Sequence, residues 1–450
     1  MTHSNSRGIR AWMMFDWANQ PFQTLIVTFI FAPYFVASVV GDPVQGQALW
    51  GTATAIGGFA TAILAPVVGA VADRTGARKP WIAAFSIPYV IGCLGLWLAT
   101  PENATPWLAL SLFIIAFIGS EFTLLFNNAM LPDLVRGRET GRISGSGWAL
   151  GYAGGLASLI IVLTLMAPAP GGDKTLIGIA PILGLDPATG EPARATGPLA
   201  AIWFIIFALP LFLFTPDAPR RGNLTGAVGT GLRDLLTTLK NLRHHRSLTT
   251  YLIASMIYRD ALAALFAFGG IYARGVLDWG LFQLGVFGII AAGTGAIGAW
   301  LGGKADHRFG PRPVIRAAIW LLIVVSLTAL LTSRESVLMI PVPPNSTLPD
   351  IVFFIAGGLL GAGAGILQAA SRTLLIDQAR GHVDAGQAFG LYALSGKATA
   401  FIGPAAIAIA TTVTGSQRLG VSPVILLFLI GLFLLRWVSG GTDRGNGTDS

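Results

Sequence analysis

Charged residues are scarce in this sequence. Asp, Glu, Lys and Arg make up 11% of the 450 residues, whereas they make up about a quarter of a typical soluble domain. Hydrophobic residues account for 53%, and the mean hydropathy is +0.68. So little charge excludes an ordinary soluble domain and predicts an integral membrane protein.

Cysteine and histidine are nearly absent as well. The single cysteine, Cys93, excludes a disulfide within the chain. The five histidines stand in polar stretches without the spacing of metal ligands. The sequence has no P-loop, nucleophile elbow or H-E-x-x-H motif. We therefore predict no metal, no cofactor and no enzymatic activity.

Long apolar runs are abundant. A helix needs about 20 apolar residues to cross the hydrocarbon core, and twelve segments are long enough. Their predicted limits are 17–40, 48–72, 81–99, 107–131, 145–167, 199–215, 248–273, 282–303, 314–332, 350–371, 386–412 and 420–437. The alternating pattern of barrel strands would interrupt such runs. The predicted fold class is an all-α integral membrane protein with twelve transmembrane helices.

Basic residues are distributed unequally between the two sides of this topology. Most of the 29 Lys and Arg residues fall on the side of both termini and the even-numbered connections. Cytoplasmic loops carry such an excess, so we expect both termini to be cytoplasmic, in a multi-pass protein of the bacterial cell inner membrane. The net charge of +8 follows from this bias, so we expect lipid and no nucleic acid as a partner.

A long basic connection at 216–247 divides the twelve spans into six and six. We predict an N-terminal six-helix bundle at 1–215, a cytoplasmic linker at 216–247 and a C-terminal six-helix bundle at 248–450. Asp16 and Asp260 stand near the start of the first span of each half. Such repeats indicate two pseudo-symmetric bundles, a plan that is widespread in secondary transporters.

The clearest repeat is a charged turn after the second span of each half. It reads "GAVADRTGARKP" at 69–80 and "GGKADHRFGPRP" at 302–313. Small residues such as Gly69 and Gly302 let helices approach closely. The first turn resembles the motif G-x-x-x-D-R-x-G-R-R of the major facilitator superfamily, and the second departs from it by one inserted residue. The resemblance implies the major facilitator fold and a cytoplasmic gate. The predicted gate residues are Gly69, Asp73, Arg74, Arg78, Asp306 and Arg312.

Glycine patterns elsewhere predict packing. The stretch "GTGAIG" at 293–298 fits the dinucleotide-binding pattern G-x-G-x-x-G. It lies in an apolar run without a preceding strand or a following acidic residue in a βαβ unit. We therefore predict that these glycines, like the G-x-x-x-G spacing at 357–365, serve close helix packing.

Ionisable residues inside a membrane are costly unless they are paired or hydrated. The interior or near-interior cases are Asp16, Glu121, Arg259, Asp260 and Lys397. They fall in the first, fourth, seventh and eleventh spans, while the interiors of the third, sixth, ninth and twelfth have none. In the superfamily that the chain resembles, the first, fourth, seventh and tenth spans line the central cavity and every third span is peripheral. The distribution predicts a polar pathway.

Helical spacing adds polar neighbours to these charges. Asp16, Asn19 and Gln23 follow i, i+3, i+7 and share a face, and Pro21 interrupts the hydrogen bonding of that helix. Glu121 and Asn128 are seven residues apart and also share a face. The predicted substrate-binding or coupling residues are Asp16, Asn19, Gln23, Glu121, Asn128, Arg259, Asp260, Gln368 and Lys397. For each of them the alternative is a structural polar contact between spans.

A closer resemblance rests on four stretches spread along the chain. They are "FDWANQPFQTLIVTFIFAPYF" at 15–35, "FNNAMLPDL" at 126–134, "YRDALAALFAFGGIYA" at 258–273 and "FGLYALSGKATAFIGP" at 389–404. They resemble the autophagy-related vacuolar amino-acid effluxer family and its bacterial relatives. The resemblance implies an amino acid as substrate. The chain departs from the family pattern at Gln20-Pro21 and at Arg259, which precedes Asp260.

These observations predict a secondary active transporter that moves a small solute by alternating access. Charges of both signs in the spans suit a zwitterion such as an amino acid, and the family resemblance implies efflux. Proton coupling is expected because Asp16, Glu121 and Asp260 can titrate when desolvated. Two alternatives stay open: an exporter of lipid or drug-like amphipaths, and a non-transporting membrane receptor or scaffold. The sequence is compatible with a monomer.

Overall fold

The computed structural model describes residues 3–101, 106–135, 139–219, 245–379, 392 and 395–439. Within these ranges, twelve helices are long and apolar enough to cross a membrane. This confirms the predicted all-helical class and the predicted number of spans. The ends differ most at span 1, predicted to begin at residue 17, whose apolar helix begins at Ser6.

The twelve spans are numbered here in chain order, and seven of them are single α-helices. Three of these lie in the first half: span 2 (Pro43–Thr75), span 3 (Lys79–Gly95) and span 4 (Pro106–Leu134). Four lie in the second half: span 7 (Arg246–Leu277), span 8 (Leu281–Phe309), span 9 (Pro311–Leu330) and span 10 (Leu348–Ala379). Span 5 is the α-helix Glu139–Ile161, continued by the π-helix Val162–Met166. Span 6 consists of two α-helices, Glu191–Arg194 and Thr196–Phe214. Span 11 is Ser395–Thr414, and span 12 consists of Gln417–Gly420 and Pro423–Leu434. Short 3-10 turns lie at Leu96–Leu98, Ile182–Gly184, Pro187–Thr189 and Leu435–Trp437. A hairpin of β1 (Ser336–Val337) and β2 (Ile340–Pro341) connects spans 9 and 10.

Span 1 is irregular. Its α-helix His3–Pro21 gives way to a π-helix at Phe22–Phe29, and a short α-helix and a second π-helical segment, Phe35–Val40, follow. Proline lacks an N–H and its ring clashes with the preceding turn. Downstream, the Ile30 N–H donates to the Leu25 carbonyl at 3.0 Å, a wider turn than that of an α-helix. The interruption predicted at Pro21 is confirmed.

The chain divides into two compact units. Unit 1 comprises Met1–Asp234 and Ala267–Gly288, and unit 2 comprises Leu235–Phe266 and Ile289–Ser450. Unit 1 therefore holds spans 1 to 6 together with the end of span 7 and the start of span 8. The predicted bundle boundaries at 216–247 stay a prediction.

The segment Ala267–Gly288 packs closely within unit 1. A Cβ on Gly270 would lie 2.4 Å from the Thr28 carbonyl oxygen. The rings of Phe29 and Phe287 meet edge to face with centroids 5.9 Å apart. The π-helical part of span 1 is thus in direct contact with spans 7 and 8.

In unit 1, two basic side chains bind spans 3 and 6 together at both ends. The Lys79 Nζ donates to the Phe212 carbonyl at 2.9 Å, and the Arg194 Nε donates to the Trp97 carbonyl at 2.8 Å. Carbonyls in the last turn of a helix have no partner within the helix, and cations are favourable there. Each span therefore caps the C-terminal end of the other.

Unit 2 repeats this arrangement between spans 9 and 12. Arg312 donates to the Leu435 carbonyl at 3.1 Å and to the Arg436 carbonyl at 2.8 Å. Arg418 donates to the Leu330 carbonyl through Nε and Nη2. The four cap residues are Lys79, Arg194, Arg312 and Arg418. Their equivalent positions support an internal repeat between the two halves.

Two of the three glycines of "GTGAIG", Gly295 and Gly298, pack against span 10, as predicted. A Cβ on Gly298 would lie 2.3 Å from the Ala362 carbonyl oxygen, and a Cβ on Gly365 would lie 2.0 Å from the Gly295 carbonyl oxygen. Neither position has room for a side chain, so the backbones of spans 8 and 10 are in contact. Gly293, in the same motif, has no heavy atom of the described residues within 4 Å of its Cβ position.

We expect Gly298→Leu to destabilise the protein by about 3 kcal/mol, at the upper end of the usual cost of overpacking. Gly293→Leu, five residues away on the same helix, should unfold near the unfolding temperature of the native protein because its side chain meets open space. Thermal unfolding of the two purified variants in detergent compares them. Equal unfolding temperatures for both variants would contradict the packing interpretation.

Candidate functional site

In unit 1, the predicted polar face of span 1 lies against spans 4 and 5. Asp16 is 9% exposed, and a Cβ on Gly147 of span 5 would lie 2.7 Å from its Oδ2. Gly151 also packs against Asp16. On the next turn, Asn19 accepts a hydrogen bond of 3.0 Å from the Ser120 hydroxyl of span 4. Small residues in the neighbouring spans make room for these two polar side chains.

Glu121 is buried, next to Ser120 on span 4. Gln23 is half-buried and Asn128 is exposed. The fully buried amide of span 4 is the neighbouring Asn127, whose side chain has no hydrogen-bond partner among the described residues. Its backbone carbonyl accepts a hydrogen bond of 2.7 Å from Trp12 Nε1. The "FNN" sequence alone could not distinguish the two asparagines, because their exposure depends on the position of span 1.

In unit 2, Arg259 lies in the middle of span 7. Its guanidinium carbon is 3.9 Å from the ring centroid of Tyr392, and its Nη1 donates to the Tyr392 carbonyl at 2.9 Å. Arginine has five N–H donors. Within the described part of the chain, the acceptor for the Arg259 side chain is this Tyr392 carbonyl. A Cβ on Gly396 would lie 2.7 Å from Nη2, so span 11 leaves room for the guanidinium.

Asp260 follows Arg259 and also faces span 11. Its side chain is 5% exposed, and its Oδ2 accepts a hydrogen bond of 2.7 Å from the Gly403 N–H. Its Oδ1 has no hydrogen-bond partner among the residues that the structure describes. The first-span carboxylate of each half thus packs against a glycine of the fifth span of that half. This equivalence agrees with the repeat predicted from Asp16 and Asp260.

Tyrosines surround Arg259. The ring of Tyr251 stacks on that of Tyr392 with centroids 6.4 Å apart. The hydroxyls of Tyr251 and Tyr258 both hydrogen-bond to Ser371 of span 10, the first to its carbonyl and the second to its hydroxyl. The sequence indicated none of these contacts, because they join residues more than 100 positions apart. Gln368 and Lys397, also predicted in unit 2, are half-buried.

One predicted gate residue of unit 1, Arg78, contacts the segment that follows span 6. Asp217 accepts from the backbone N–H groups of Arg78 at 2.8 Å and of Lys79 at 3.0 Å. This carboxylate satisfies N–H groups at the start of span 3 that lack helical partners. At Gly69, no heavy atom of the described residues lies within 4 Å of the Cβ position, so the close approach predicted there stays a prediction. The side chains of Asp73 and Arg74 lie outside the described residues.

The second predicted gate lies in unit 2. Asp306 is buried near the end of span 8 and hydrogen-bonds to the Thr373 side chain of span 10. Gly302 packs against Ile366, also of span 10, where its Cβ would lie 2.8 Å from the Cα. Arg312 caps span 12 within the same unit. The gating role of these residues stays a prediction.

No group of three or more potential metal-binding side chains occurs in the described ranges. The structure instead has buried carboxylates in spans 1, 4 and 7 and a guanidinium in span 7. Such side chains inside spans mark pathways for polar solutes or ions.

Twelve spans, with buried carboxylates in spans 1, 4 and 7, are typical of a multi-pass membrane transporter of the major facilitator type. The fold is similar to that of the xylose transporter XylE from E. coli in a partially occluded inward-open conformation. The two superpose with a TM-score of 0.64 over 99% of this chain and 100% of that one, at 13% identity. The predicted major facilitator fold is confirmed.

The family model described as "Vacuole effluxer Atg22 like" matches residues 34–446, and the chain belongs to this family of secondary transporters. An MFS-type transporter of Bacillus subtilis, YxiO, is 24% identical over 433 residues, which cover 95% of this chain and 94% of that protein. Autophagy-related protein 22-2 of Emericella nidulans is 25% identical over 324 residues, covering 68% of this chain and 52% of that protein. These matches confirm the predicted family.

Proposed function

We propose that this transporter exports an amino acid from the cytoplasm in exchange for protons, by alternating access. The bacterial inner membrane, with both termini cytoplasmic, is the proposed location, because most Lys and Arg residues lie on one side of the topology. Membership of a family described as vacuole effluxers supports solute transport across the membrane as the activity.

The observation that carries the substrate class is the environment of Arg259. The guanidinium is half-buried inside span 7 and lies over the ring of Tyr392, with no carboxylate partner among the described residues. A planar guanidinium matches a carboxylate with two parallel hydrogen bonds. A substrate carboxylate therefore suits the remaining N–H groups of Arg259.

The observation that supports proton exchange is the environment of Asp260. A buried carboxylate favours its neutral form unless a charge or donors stabilise it, and Gly403 supplies one donor. Protonation places a hydrogen on Oδ1, the atom without a described partner. The acid and Arg259 are adjacent in span 7, so a substrate carboxylate on Arg259 changes the charge beside Asp260.

The test is a ligand screen on the purified full chain. Thermal unfolding is recorded with each common amino acid at two pH values, together with the amide and N-acetyl derivatives of any compound that binds. A ligand at 100 times its Kd stabilises the folded state by about 2.7 kcal/mol. We expect stabilisation by one or a few amino acids, lost in the amide, followed by counterflow of the same compounds in proteoliposomes.

Other results of the screen would favour the alternative functions. Stabilisation by amphipaths without any amino acid would favour an exporter of lipid or drug-like compounds. Amino-acid binding without counterflow would favour a receptor. Either result would overturn the proposed function and leave the fold and family unaffected.

A further inference from the structure

A groove lies between span 1 and span 6 at one end of unit 1. It encloses about 370 Å³, and its lining residues are Arg7, Arg10, Ala11, Met14, Pro210 and Phe214. The first four follow the spacing i, i+3, i+4, i+7 and so form one face of span 1, while the last two are i and i+4 on span 6. One face of each helix therefore forms one wall of the groove.

The two helices cross tightly where the groove begins. The Thr215 hydroxyl donates to the Gly8 carbonyl at 3.0 Å, and a Cβ on Gly8 would lie 2.8 Å from the Cδ of Pro216. This crossing sets the backbone position of Arg7 and Arg10, which lie one residue before and two residues after Gly8. Both Arg7 and Arg10 are exposed.

The groove is basic. Among the described residues, neither Arg7 nor Arg10 has an acidic partner. The acid nearest to Phe214 in sequence is Asp217, and its carboxylate accepts from backbone N–H groups at the start of span 3. The guanidinium groups of Arg7 and Arg10, one helical turn apart, are therefore available to an anion without competition from the Asp217 carboxylate.

The groove continues into an apolar face that has the character of a lipid contact. On span 6, Ile206, Leu209 and Leu213 are each more than half exposed, as is Phe214 at the groove itself. Span 1 begins at Ser6, so Arg7 and Arg10 lie at the level of the headgroups when the helix crosses a bilayer. Basic pockets between helices at this level suit anionic lipid headgroups.

We propose that this groove binds an anionic phospholipid, with its phosphate on Arg7 and Arg10 and its acyl chains along Met14, Pro210 and the exposed face of span 6. Arginine binds phosphate with paired, charge-assisted hydrogen bonds. The apolar side chains of the groove contact the acyl chains of a phospholipid, and a free phosphate has no such chains. This site is independent of the proposed amino-acid pathway.

The test uses the purified full chain in a neutral detergent. Phosphatidylglycerol, phosphatidylcholine with the same acyl chains, and inorganic phosphate are titrated, with native mass spectrometry and thermal unfolding as readouts. The variant is Arg7→Gln with Arg10→Gln. The matched control is Arg246→Gln with Arg316→Gln, which removes two exposed arginines from the starts of spans 7 and 9.

We expect phosphatidylglycerol to bind the native chain at least about tenfold more tightly than phosphatidylcholine. The groove variant should lose about tenfold in that affinity, and the control should stay within about twofold. Unfolding without lipid should be the same for both variants, since all four arginines are exposed. Equal binding of the two lipids, or undiminished binding by the groove variant, would overturn the proposal. Inorganic phosphate binding as tightly as phosphatidylglycerol would overturn it as well, because the site would then be specific for a free anion.

Discussion

Replacing Arg259 by Gln is expected to weaken amino-acid binding about a hundredfold. Removing one partner of a buried, hydrogen-bonded charge pair costs about 2–5 kcal/mol, and a hundredfold change corresponds to about 2.7 kcal/mol. The substrate carboxylate would then lie beside Tyr392 with no positive charge to pair with, because glutamine is neutral. The Kd from thermal unfolding and the rate of counterflow in proteoliposomes measure the loss.

Span 7 offers a matched control for this experiment. Arg274 is also half-buried, lies near the C-terminal end of the same helix and donates to the Trp279 carbonyl at 3.0 Å. Arg274→Gln should leave amino-acid affinity unchanged. Arg259→Lys should give an intermediate affinity, because it keeps the charge but loses the planar guanidinium and its paired N–H donors. Native affinity in Arg259→Gln would show that Arg259 has only a structural role.

The second large effect is expected from Asp260→Asn, which should abolish proton-driven accumulation while counterflow continues. Asparagine can still accept the Gly403 N–H through its Oδ1, so the contact between spans 7 and 11 is retained. It cannot bind or release a proton, so the pH gradient no longer drives the substrate. For exchange with one proton, a gradient of one pH unit supports about a tenfold accumulation, and the variant should reach a ratio of about one.

Proteoliposomes with an imposed pH gradient and a labelled amino acid provide the measurement. Asp278→Asn is the control, because Asp278 is exposed in the turn after span 7 and has φ of 54°, a conformation that Asn also tolerates. If Asp260→Asn concentrates substrate like the native chain, Asp260 does not carry the coupling proton. The same assay with Asp16→Asn would then test the equivalent carboxylate of span 1.

Features that depend on local sequence could be predicted well. The length of the apolar runs determined the twelve spans, and the missing N–H of Pro21 determined where the α-helix of span 1 ends. Gly295 and Gly298 of "GTGAIG" pack closely because small residues on an apolar helix let the backbone of a neighbouring helix approach. In each case the cause lies within one helix.

Features that depend on which helices meet could not be predicted. The motif that makes Arg78 and Arg312 predicted gate residues does not indicate their contact partners. The structure places the backbone of Arg78 on Asp217 and the side chain of Arg312 on the end of span 12. Likewise, Tyr392 faces Arg259 across more than 130 residues of sequence. Such partners follow from the arrangement of the spans, which one sequence without structural information does not specify.

The four cap residues have a consequence for experiments that follow the transport cycle. Because spans 3 and 6 are fastened at both ends, and spans 9 and 12 likewise, each pair should keep its internal spacing while other helices tilt or rewind. A pair of spin labels or fluorophores, one on each member of such a pair, provides a ruler of constant length inside a moving protein. Distances from this ruler to span 1 or span 7 would then report the motion of those helices alone.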